Sequence, residues 1–162
     1  MIARVISGIF ATTSAIAAAV GTQDYAQDYG NRSTKICERA VPDTIETLIK
    51  RNLHEVFGER DAKKRREAIA QLWTEDCVFI DHSGKCHGRD ELDRAVAGLH
   101  QRLPDYVFSE LRPVDLLHES GRLAWSYGPP GQVRIRGEDV VLVRNGRIAL
   151  MLTFLDEVPA KL

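Results

Sequence analysis

Four side chains in this 162-residue chain have types and positions suited to proton transfer: Asp81, Asp139, Tyr127 and His82. Asp81 closes the apolar run Cys77-Val78-Phe79-Ile80 and precedes His82-Ser83-Gly84, so it stands where a cavity wall would meet solvent. Strand alternation puts Phe79 on the same face. A carboxylate beside aromatic surface is partly desolvated, which raises its pKa and makes it a better base near neutrality. The same residues also read as an Asx turn, with Asp81 bonded to the backbone of Ser83 or Gly84. Asp139 opens the apolar run Val140-Val141-Leu142-Val143. Facing a pocket it is a costly buried carboxylate unless protonated or paired; at a strand end it would meet water and pair with Arg136 or Arg134. Two acids facing one cavity have their pKa values driven apart, giving one base and one acid. One of the two would then accept a proton and the other donate one, with the Tyr127 hydroxyl as a further donor. His82, next to Asp81, is a surface histidine or a backup proton carrier.

These groups need a scaffold, and the pattern supplies one. A helix starting at Asp43, with Asp43 and Glu46 as a capping box, carries Ile45, Leu48, Ile49, Asn52, Leu53, Val56 and Phe57 at helical spacing and stops at Gly58. A second helix runs over 61–73, the strand over 77–82, and a third helix over 90–103 with Pro104 as its stop. Strands follow: 106–111 continuing past Pro113 to 118 as one bulged strand, then 122–128, 133–144 and 147–155. The last two are joined by Asn145-Gly146, a strong hairpin signal. Helices followed by consecutive antiparallel strands define an α+β domain with helices on one face of a curved sheet. Trp125 and Tyr127 share a strand face as pocket wall or core, and Trp73, Phe79, Tyr106 and Phe108 read the same way.

Composition narrows the function classes. With 44% apolar residues, 28% charged residues and a formal net charge of −1, the chain is a single globular domain with no electrostatic case for nucleic acid or stable membrane association. The run Lys63-Lys64-Arg65-Arg66 is read as a solvated helix face. Cys37, Cys77 and Cys86 make no disulfide framework, and neither CxxC nor HExxH occurs, so no metal site is expected. The chain shows no nucleophile elbow, P-loop or dinucleotide fingerprint, so no cofactor is expected. Residues 1–20, basic at Arg4 and then apolar with Ala17-Ala18-Ala19, fit either a secretory signal peptide or an N-terminal extension. Export follows from the first reading and a cytoplasmic location from the second. Residues 21–42 read as a linker, and 43–158 as the domain.

Leu72-Trp73-Thr74-Glu75-Asp76 before the first strand, Asp81 at its end and Gly88-Arg89-Asp90 opening the third helix form an ordered set. Trp125-Ser126-Tyr127-Gly128, Gly146-Arg147-Ile148 and Phe154-Leu155-Asp156 complete it. Over residues 43–157 the set resembles the nuclear transport factor 2-like superfamily, in its SnoaL-like polyketide cyclase and ketosteroid isomerase branches. The resemblance implies a cone: three N-terminal helices close over a curved antiparallel sheet and leave an apolar pocket, and homodimers form through the outer sheet face. In the isomerase branch it matches Asp81 to the catalytic base and Asp139 to a protonated acid facing the oxyanion. Asn52 falls where that branch carries a tyrosine. In the epoxide hydrolase branch Arg122 is matched, but Ala124 and Thr153 stand where carboxylates belong. The implied activity is cofactor-free isomerase or cyclase chemistry on a small apolar carbonyl compound such as a polyketide, terpenoid or steroid. The rival readings are a ligand-binding or dimerisation module of the same fold and, third, an epoxide hydrolase.

Overall fold

The computed structural model describes residues 43–157; the signal-like segment, the linker and Cys37 lie outside them. Helix α1 (Ile45–Arg51) is capped by Thr44, whose hydroxyl accepts from the Thr47 amide at 3.2 Å. The capping pair expected from Asp43 and Glu46 does not form, because Thr44 lies one residue nearer the first turn. Asp43 instead holds Arg51 at 2.6 Å, and Glu46 pairs with Lys50 at 2.8 Å. The helix then widens into a π-helical turn over Asn52–Phe57, for which the apolar spacing carries no signal.

Helix α2 (Ala62–Leu72) begins on Asp61, which accepts from the amides of Lys63 and Lys64 at 2.8 and 2.9 Å. It ends one residue before Trp73, which is already extended and opens strand β1 (Trp73–Asp81), four residues earlier than the apolar run predicts. Two contacts explain the switch. The Trp73 indole donates to Asn52 at 2.8 Å, and its carbonyl accepts the Arg89 guanidinium at 2.5 and 3.1 Å. Strand β2 (Gly84–His87) folds back on β1, and α3 (Gly88–Arg102) starts two residues before its predicted position.

Strands β3 (Val107–Glu110) and β4 (Asp115–Leu117) both pair with β5 (Ser120–Gly128). They follow the single path expected, split where the chain around Pro113 bulges away. Strands β6 (Ile135–Arg144) and β7 (Arg147–Leu155) are joined by Asn145 and Gly146 with φ of 54° and 72°, as a two-residue primed turn requires. The sheet order is β2-β1-β7-β6-β5-β3, with β4 beside β3 on β5. β7 returns to the middle and runs parallel to β1, so the seven-stranded sheet is mixed rather than antiparallel throughout. Its inner face and the helices bury Leu48, Leu53, Ile69, Leu72, Leu92 and Val96 against Trp73, Leu123, Ile148 and Met151, each at most 2% exposed. Cys86 lies opposite Phe79, not Cys77, and both thiols are free.

Candidate active site

One end of the inner face is not filled. Alternation sends Phe79 and Asp81 of β1, Trp125 and Tyr127 of β5, Ile135 and Asp139 of β6, and Thr153 and Leu155 of β7 into one space. Phe57 from the π turn, Leu99 from α3, Phe108 from β3 and His82 complete the wall. The cavity leaves about 70 Å³ for the centres of water molecules, and one water needs about 10–15 Å³ by that measure. The space is therefore a small, partly open chamber.

The pairing places its polar groups in a row. Asp139 lies opposite Thr153 across β6 and β7, and Ile80 lies opposite Leu152 across β1 and β7, so Asp81 stands level with Thr153. The two acids thus flank Thr153 from either side, about two interstrand spacings apart, roughly 9–10 Å between Cα atoms. Asp139 is 4% exposed, and its Oδ1 accepts from the Thr153 hydroxyl at 2.7 Å. Neither Arg134 nor Arg136 reaches it: both are exposed, and the pairing expected for a strand-end residue is absent. Burial pushes its carboxyl from 3.8 up to about 6, against the pull of the Thr153 hydroxyl and the Trp125 indole N–H.

Asp81 forms the turn of its second reading and also borders the chamber. Its Oδ1 accepts from the Ser83 amide at 2.8 Å, the Ser83 hydroxyl at 2.6 Å and the Gly84 amide at 3.1 Å, which is an Asx turn. It also lines the chamber with Phe79 and exposed His82, so one carboxylate oxygen is tied to the turn while the side chain remains at the rim.

The aromatic wall is interlocked. Phe108 stacks on Tyr127 with ring centroids 4.0 Å apart and meets Trp125 edge-on at 5.3 Å; Phe57 meets Phe79 edge-on at 5.4 Å. Gly137 lets the Trp125 ring lie close over β6, since a Cβ there would come within 2.7 Å of it. The Trp125 Nε1 and Tyr127 hydroxyl are buried without a well-formed protein hydrogen bond. Burial raises the Tyr127 phenol, opposed by Arg60 nearby, so the hydroxyl keeps its proton at neutral pH.

Of the residues singled out in the sequence, the structure brings Asp81, His82, Tyr127, Asp139, Phe79 and Trp125 together. Three others lie elsewhere. Asn52 and Trp73 are locked in the filled part of the core, where Asn52 Nδ2 donates to Met151 Sδ at 3.2 Å. Tyr106 packs edge-on against Tyr127 at 5.2 Å, behind the wall. Thr153, Phe57 and Ile135 are chamber residues that sequence reasoning did not assign to the site. Arg60 also went unseen; it braces the wall by donating to the Leu103 and Tyr106 carbonyls at 3.3 and 2.7 Å. Among the described residues no cluster of His, Cys, Asp or Glu is arranged to hold a metal ion, and no helix is long and apolar enough to cross a membrane.

A helix-backed curved sheet with a carboxylate buried in an aromatic chamber is a fold of the nuclear transport factor 2-like type. The chain belongs to the SnoaL-like family: residues 51–151 match the model of the SnoaL-like domain. It is similar in structure to a candidate isomerase of the SnoaL-like family from Agrobacterium tumefaciens, with 26% identity, a TM-score of 0.65 and coverage of 68% of this chain and 96% of that one. A candidate SnoaL-like polyketide cyclase from Jannaschia sp. shares 16% identity at a TM-score of 0.58, over 70% of this chain and 89% of the other. A candidate ketosteroid isomerase from Kribbella flavida shares 18% at 0.56, over 73% and 82%. These last two likenesses show the fold alone. No curated protein matches the chain.

Proposed function

We propose that the chamber catalyses proton transfer at carbon next to the carbonyl group of a small apolar compound, an isomerase- or cyclase-type reaction. The observation that carries the reading is Asp139, a carboxylate buried in an aromatic pocket without a cationic partner and pushed up to about 6. Such a group is mostly ionised at pH 7–8 yet poorly solvated, which suits a general base. This reverses the role expected from its sequence position, where Asp139 was to be the protonated acid. Asp139 takes the C–H proton and returns it at another carbon, Thr153 orients the carboxylate, and the Tyr127 hydroxyl and Trp125 N–H donate to the developing enolate oxygen. Asp81 and His82 at the rim exchange protons with water. The named neighbours, a candidate isomerase and a candidate cyclase, support this class of chemistry.

The test needs no knowledge of the natural substrate. Exchange of the α-protons of 2-butanone and cyclohexanone in D2O, followed by NMR, is accelerated by the protein and slowed at least ~100-fold by Asp139→Asn. Exchange rises with pH through about 6 and then levels, because the ionised form is the base. No acceleration, or an Asp139→Asn variant as fast as the parent, contradicts the reading.

A second copy of the chain is the proposed partner. Leu142 on the outer sheet face is 47% exposed, opposite half-buried Leu150 and next to half-buried Val140, which form a continuous apolar centre. Light scattering gives a dimer mass for the parent and a monomer for Leu142→Lys; a monomeric parent contradicts the pairing.

A further inference from the structure

The chamber is not the whole binding site. A second, more open space lies against it, lined by Ile80, Leu152 and Phe154 together with Asp81, His82, Thr153 and Leu155. The last four also line the chamber, so they form a shared rim between the two. Measured in the same way, the outer space is about 290 Å³ against about 70 Å³ inside. The division follows from strand alternation. Asp81, Thr153 and Leu155 point to the inner face, whereas Ile80, Leu152 and Phe154 point outward over the ends of β1 and β7. The inner space holds the carboxylate of Asp139 and the indole and phenol donors. The outer one is walled by aliphatic and aromatic side chains, with Phe154 58% exposed.

The geometry points to a two-part ligand: a small carbonyl head in the chamber and a linear apolar tail that crosses the Asp81–Leu155 rim and lies on Ile80, Leu152 and Phe154. This rests on the proton-transfer reading of the chamber and narrows its substrate class. The chamber is small and open on one side, so it takes a carbonyl and the carbons beside it, and a larger compound projects outward. The rim is the exit that leads onto apolar surface. Among the described residues no Lys or Arg lines either space, so none of them offers a permanent countercharge to an anionic head or tail. The ligand is a neutral, chain-bearing ketone or aldehyde.

Binding of the series 2-butanone, 2-hexanone, 2-octanone and 2-decanone, measured by calorimetry, tests this. Each methylene laid on the groove tightens binding about fourfold, so Kd falls along the series until the groove is full. Phe154→Ala and Leu152→Ala each flatten that dependence by at least tenfold at 2-octanone and leave 2-butanone within about twofold of the parent. Leu152 lies opposite Val140, at the margin of the face proposed to pair two copies, so binding is compared at protein concentrations where light scattering gives parent and variants the same mass. If 2-butanone binds but chain length makes no difference, the tail site is wrong and the chamber reading stands. If both variants keep the parent's length dependence, the tail runs elsewhere and the inference is overturned. If no ketone binds at any length, the chamber reading falls and this inference with it.

Discussion

Two ends of one sheet face, each built around a tryptophan, are finished in opposite ways. At the filled end Trp73 is fully buried, its indole N–H donates to Asn52 at 2.8 Å, and Asn52 in turn donates to Met151 at 3.2 Å. Every side-chain polar atom of that trio has a partner, and buried leucines pack around it. At the other end Trp125 is nearly as buried, but its N–H and the Tyr127 hydroxyl lack well-formed partners, and a carboxylate faces a cavity. An unpaired buried polar group costs on the order of 1–3 kcal/mol. The first end holds the fold together, and the second leaves donors free toward the chamber, as the proposed proton transfer requires.

The contrast is sharpest in substitutions. Trp73→Ala removes the largest buried side chain of the filled end and strands Asn52, so it destabilises by about 3–5 kcal/mol in urea unfolding. Trp125→Ala opens a chamber that already exists and costs clearly less; equal losses would erase the distinction.

Asp139→Asn has the opposite sign. The folded pKa is raised from 3.8 to about 6, so the ionised carboxylate disfavours the fold. Stability from this group is fully present below pH 4 and is lost as pH rises through 6. The asparagine variant is therefore more stable than the parent at pH 8, by about 3 kcal/mol at most, and the gain vanishes near pH 4. Thermal melts across that range check it, and a variant destabilised at pH 8 would place Asp139 in an ordinary paired environment. Gain of stability with loss of exchange in one substitution is the mark of a functional group that the fold does not need.

Smaller effects come from the turns. Asn145→Ala keeps the left-handed φ of 54° without a side chain suited to it and costs about 1–2 kcal/mol. Asp81→Asn still accepts from Ser83 and Gly84 through its amide oxygen, so unfolding shifts by less than about 1 kcal/mol. A loss several times larger would show that the carboxylate charge itself holds the turn.

Local signals were legible where one residue type decides the geometry. Asn145-Gly146 specified its hairpin, and the alternation around Phe79 and Asp81 the rim of the chamber. Thr153 was hidden by a bulge. Counting back from the hairpin, Arg144 opposite Arg147 would set Leu152 against Asp139, but the register shifts between Leu142 and Val143 and brings Thr153 there instead. Asn52 lies on the apolar face that its helical spacing predicts, but that face packs into the filled core and not the chamber, which depends on the distant contacts with Trp73 and Met151. Parallel pairing of β1 with β7 depends on a contact between residues more than sixty positions apart, which local patterning does not encode.

The most direct test is a carboxyl titration by ¹³C NMR, with the Asp139 resonance identified by its absence in Asp139→Asn. The account predicts a midpoint about two pH units above that of a solvated aspartate, near 6. A midpoint at 4 or below would mean that water or a cation reaches this carboxylate, and the chamber would lose its base.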